Sequence, residues 1–209
     1  MRRLVIALSA LLISGQAWAG DLSVTVRTSG GKPVANAVVT VHAAAGGATA
    51  PGRFAWPMQM VQKDMTFDPF VLLVPVGATV SFPNQDTVRH HVYSFSATKK
   101  FELKLYGQGE TRSVQFDRTG AAAVGCNIHD SMVGFIKVVD TPHAVKTGAS
   151  GEALLRNVPE GPVVVRIWHP YLKGANNEVV RRMVLPATGL ARDTVAINVR
   201  APPVMHHSY

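Results

Sequence analysis

Hydrophobic and polar positions alternate in pairs along much of this chain. Leu22, Val24 and Val26 are separated by Ser23, Thr25 and Arg27. Phe101, Leu103 and Leu105 flank Glu102 and Lys104, and Val114 and Phe116 flank Gln115. A period of two puts the apolar residues on one face of a strand and the polar ones on the other. Other stretches are rich in apolar and β-branched residues: Val38–Val41, Phe135–Val139, Val163–Trp168 and Thr194–Val199. Such runs also read as strands. Spacing suited to an amphipathic helix is hard to find. Turn residues interrupt the runs at short intervals, as in Ser29-Gly30-Gly31-Lys32-Pro33. The pattern predicts an all-β chain built as a sandwich or barrel.

One turn signal occurs twice. Val74-Pro75-Val76-Gly77 and Val158-Pro159-Glu160-Gly161 each lead into a β-branched run. Proline pre-sets the turn and glycine supplies its permissive position, so two β-modules are expected. Ala43–Gly52 (AAAGGATAPG) reads as a linker, and Thr141–Gly151 as a second loop-like stretch. They bracket a self-contained block over residues 55–140. The segments on either side, 20–50 and 141–200, predict one split module with the block inserted at its linker. Residues 201–209 carry no packing pattern and read as a flexible tail.

The N-terminus changes the setting. Arg2 and Arg3 precede the apolar run Leu4–Leu12, and Ala17-Trp18-Ala19 matches an A-x-A cleavage site. Residues 1–19 therefore read as a signal peptide for export, favouring a bacterial periplasm. No later run is long and apolar enough to span a bilayer. About 190 residues follow, enough for one large or two small domains. The formal charge of +8 falls to +6 without Arg2 and Arg3. The remaining cations are scattered, with no basic cluster interleaved with aromatics, so nucleic acid is not an expected partner. The chain has one cysteine, so it forms no internal disulfide. A lone exported thiol is either buried and inert or held by a metal.

That thiol opens Cys126-Asn127-Ile128-His129-Asp130-Ser131-Met132, which places histidine and then methionine at steps of three. Thiolate, imidazole and thioether are soft ligands that suit copper, and one tight loop can return all three to a point. A second imidazole must come from elsewhere. Phe82-Pro83-Asn84-Gln85-Asp86-Thr87-Val88-Arg89-His90-His91-Val92-Tyr93 reads as a loop entering a strand. Adjacent residues of a strand face opposite ways, so either His90 or His91 faces the metal, not both. Cysteine with two histidines also binds zinc, against which Met132 argues.

The block with FPNQDTVRHHVYSFS and GCNIHDSM resembles the cupredoxins, the blue copper proteins of amicyanin and plastocyanin type. Its wording is similar to periplasmic cupredoxin-like proteins of methylamine utilisation. The resemblance implies a Greek-key β-sandwich with Cys126, His129 and one upstream histidine as strong copper ligands. It implies Met132 as the weak axial ligand. His90 aligns with the family's ligand histidine. His91 then stands where the family usually has an asparagine that braces the cysteine loop, and is the alternative ligand. The implied role is one-electron transfer, without enzymatic turnover, between periplasmic redox proteins such as a cytochrome c and a dehydrogenase. Copper binding or delivery, or an interaction module with no redox use, are the competing expectations. The flanking segments resemble small transthyretin-like or carboxypeptidase-regulatory-like β-modules.

Overall fold

The computed structural model describes residues 19–46 and 52–201. The expected signal peptide, apart from Ala19, and the expected tail beyond Ala201 lie outside the described residues. So does the middle of the Ala43–Gly52 linker. The fold is all-β. The first strands are β1 (Ala19–Thr28), β2 (Val38–Ala43), β3 (Val61–Lys63), β4 (Thr66–Asp68), β5 (Val71–Pro75) and β6 (Ala78–Pro83). Next come β7 (His90–Ser96), β8 (Lys99–Tyr106), β9 (Thr111–Phe116), β10 (Gly120–Cys126) and β11 (Val133–Val139). The last are β12 (Ala144–Lys146), β13 (Glu152–Pro159), β14 (Gly161–Trp168), β15 (Glu178–Leu185) and β16 (Leu190–Ile197).

The central block forms a five-stranded sheet in the order β5-β11-β10-β7-β8, faced by the pairs β6-β9 and β3-β4. The period-two pattern decides what goes inward. Ala122, Val124 and Cys126 of β10 share a buried core with Leu72, Phe82, Val92, Tyr106, Phe116 and Ile136. The flanking segments form a second sandwich, from the sheets β13-β1-β16 and β12-β2-β14-β15. Its core holds Leu22, Val24 and Val26 against Val39, Val41, Val163, Val165 and Ile167. Strands from both sides of the central block therefore complete the same two sheets. A third apolar cluster joins the two sandwiches, with Val38 and Trp168 packed against Val71, Leu73 and Val139.

The repeated Val-Pro-x-Gly signal marks a common device. Gly77 and Gly161 have φ of 86° and 85°, a left-handed conformation that glycine adopts without a Cβ penalty. Each turn carries the chain from one layer of a sandwich to the other, β5 to β6 and β13 to β14. Thr141–Gly151 differs from the expected loop. It contains β12, which pairs with β2 over Val38–Thr40. Buried Thr141 donates to the Val41 carbonyl at 2.8 Å, and buried Thr147 donates to the Val34 carbonyl at 2.7 Å. Side-chain hydroxyls have satisfied backbone groups there, so a polar, glycine-containing stretch stays packed.

Candidate metal centre

Register places the site. β10 runs antiparallel to β7, with Cys126 opposite Val92. The end of β10 therefore meets the start of β7, where His90 lies two residues before Val92 on the same inward face. His90 is fully buried and Cys126 is 2% exposed. His129 reaches the same point from the loop beyond β10. Cys126 Sγ lies 3.7 Å from His90 Nδ1 and 3.6 Å from His129 Nδ1, and the two Nδ1 atoms are 3.2 Å apart. The imidazole rings meet edge to face, 5.0 Å between centroids.

The cysteine loop is held by its own backbone. Met132 N–H donates to the His129 carbonyl at 2.9 Å, and Cys126 N–H to the Met132 carbonyl at 3.3 Å. These bonds fold the three-residue steps into a closed turn. Met132 is 1% exposed and packs in the core cluster that contains Cys126. The loop is tied to β7 by Asn127 N–H, which donates to the His91 carbonyl at 3.0 Å. The His91 side chain points away from the cluster, with Nε2 2.9 Å from Glu102 on β8. A backbone carbonyl thus ties down the loop next to a position where side-chain bracing was expected.

Sequence reasoning missed Asp86. Its Oδ2 lies 2.7 Å from His90 Nε2, the ring nitrogen facing away from Cys126. The segment carrying it is strongly held. Asp86 N–H donates to Asn84 Oδ1 at 2.9 Å, and buried Asn84 donates from Nδ2 to the Val88 and Tyr106 carbonyls. The available signal was an acidic residue one helical-turn length before a histidine, in a stretch with no helical pattern. Behind it Tyr106, which pairs with His90 across the sheet, donates its hydroxyl to the Phe82 carbonyl at 2.9 Å. Burial pushes the Tyr106 pKa up to about 12, so it remains a donor. Burial also holds the His90 pKa below the usual histidine value of 6.5, against the upward pull of Asp86. A neutral His90 leaves one ring nitrogen with a free lone pair.

The donors fit a first-row metal ion. With bonds of about 2.0 Å to nitrogen and about 2.3 Å to sulfur, a trigonal ion holds sulfur and nitrogen about 3.7 Å apart. The observed separations match, and the three ligand atoms all lie within 4.8 Å of one another. One sulfur and two imidazoles near a buried thioether favour copper. Among the described residues no other group of three such side chains converges this way.

Comparisons with known proteins bear on the central block. No curated protein sequence matches the chain significantly. Among solved structures, a copper-containing nitrite reductase from Thermus scotoductus is 27% identical at a TM-score of 0.38. That match covers 43% of this chain and only 25% of the reductase. A purple cupredoxin from Nitrosopumilus maritimus is 25% identical at a TM-score of 0.35, covering 39% of this chain and 98% of its own. A reduced amicyanin variant is 18% identical at a TM-score of 0.38, covering 48% of this chain and 98% of its own. Residues 55–139, the block that carries all the donors, match the family of copper binding proteins of the plastocyanin/azurin type.

Proposed function

We propose that this chain is an exported type 1 copper protein that carries single electrons between redox partners. His90, Cys126 and His129 would hold the copper as its strong ligands, and Met132 would be its weak fourth ligand. The convergence of one buried thiol with two imidazole nitrogens carries this reading. Copper, when bound, supplies a one-electron couple between its +2 and +1 states. The protein's part is to hold the ligands still. His90 is fixed by the start of β7, Cys126 by the end of β10, and both flank the same sheet core. A rigid ligand set suits a carrier, because little has to move when the charge changes.

The exit for the electron is His129, the half-buried member of the cluster. Ile128 beside it is 50% exposed, and exposed Val88 and Met65 lie on loops near the His90 side. These exposed apolar side chains, set among polar ones, suit brief docking of another redox protein, such as a cytochrome c or a dehydrogenase. The wording FPNQDTVRHHVYSFS and GCNIHDSM supports a place among methylamine-utilisation proteins. The N-terminal export signal supports the periplasm. Among the described residues no helix is long and apolar enough to cross a membrane.

Reconstitution with copper tests the proposal. The wild-type protein is expected to show an intense visible thiolate-to-copper band and a reversible one-electron couple. Cys126→Ser is expected to lose the band while remaining folded. Rapid surrender of copper to a mild chelator would replace the carrier reading with copper delivery. Absence of copper uptake in both oxidation states would sink both.

A further inference from the structure

We infer that Asp86 is a positioning residue for the metal centre, fixing which nitrogen of His90 is offered to the metal. The inference rests on the copper reading above. A neutral imidazole has two tautomers, and only one of them presents a bare Nδ1. Asp86 Oδ2 already accepts the Met65 N–H, so as an acceptor at 2.7 Å it calls for the proton on His90 Nε2. The Nδ1 lone pair is then left pointing at the space shared with Cys126 and His129. Metal-bound histidines commonly donate their other N–H to such a carboxylate, which orients the ring and makes it a stronger donor.

The brace is built from three parts of the chain. Asp86 Oδ2 also accepts the Met65 N–H at 3.1 Å, from the turn between β3 and β4. Asn84 holds the Asp86 backbone and is itself anchored to the Tyr106 carbonyl at the end of β8. The Asp86 side chain is only 10% exposed, so solvent and salt screen its charge weakly. His129 has no carboxylate partner among the described residues. The two imidazoles are therefore unequal: His90 is electron-rich and locked, and His129 is open to a partner. A buried negative charge behind one ligand favours copper(II) over copper(I).

Two measurements test this. Nitrogen NMR of the copper-free wild-type protein should show His90 in the Nε2–H tautomer alone; an Nδ1–H tautomer would overturn the inference without any variant. Asp86→Asn keeps the shape but removes the charge, and its amide can turn either way. It should mix the His90 tautomers and weaken copper(II) binding about tenfold more than copper(I) binding. That difference reads as a rise of about 59 mV in reduction potential. Asp86→Glu should restore part of the shift. A merely structural role would lower the unfolding midpoint and leave the potential where it was, and that result overturns the inference. Failure of the wild type to take up copper defeats the copper reading instead, which separates the two.

Discussion

At His90 and His91 two neighbouring side chains of one type enter opposite environments. Strand geometry alone states that they cannot both face the metal, and it does not choose between them. The choice follows from burial, since His90 sits at the inner end of a core stripe with Val92 while His91 meets exposed Glu102. His91→Asn should therefore leave the copper band and potential unchanged and cost under about 1 kcal/mol, because its partner Glu102 is solvent-exposed. His90→Asn should abolish the band. Visible spectra of the two variants decide the matter, and the reverse outcome would make His91 the ligand. The Cys126 loop was legible because its three candidate donors lie within seven residues. Asp86 was not, since its value depends on a ring that only the folded β7 brings over it.

Among the strands, β5 shows how an edge is protected. It pairs with β11 on one side only. On the other side Trp56 Nε1–H donates to the Leu73 carbonyl at 2.7 Å, and Lys146 Nζ donates to the Val71 carbonyl at 2.6 Å. Side chains thus cap the carbonyls that would otherwise invite another strand. Trp56→Phe keeps the stacking against Phe54, 4.7 Å between centroids, but strands a buried carbonyl. The expected cost is about 1–3 kcal/mol in urea unfolding of the copper-free protein, with the copper band unchanged. An unaltered midpoint would show that water replaces the indole. The strands with strict alternation were readable from the chain. β12 and β15 were not, because β12 hides in a polar stretch and β15 breaks its pattern with Arg181-Arg182 at an exposed sheet edge.

Across the whole molecule, burial reaches histidines far from the metal. His169 is 7% exposed, and its Nδ1 accepts the Tyr171 N–H at 3.2 Å. Burial holds its pKa below the usual 6.5, and burial together with His42 does the same for His143. The unfolded chain then binds more protons than the folded one below about pH 6.5, so stability is full above that value and drains away as pH falls. The thermal midpoint of the copper-free protein should drop between about pH 7 and about pH 5, and more shallowly in His169→Gln. A flat profile would contradict it. The two cores were visible as two families of apolar runs. The cluster joining them was not, because Trp168 and Phe135 look alike in sequence whether they face a core or a neighbouring module. The way β1 and β2 find their partners has a consequence for synthesis. Every strand they pair with, β12, β13, β14 and β16, comes after the central block. Domains fold as they emerge, N-terminal parts first, yet here the first strands must wait while the inner block closes with partners of its own. The ligand cluster can take shape before the frame that grips it, and a chain cut after Asp140 would leave β1 and β2 as orphan edges exposed to aggregation.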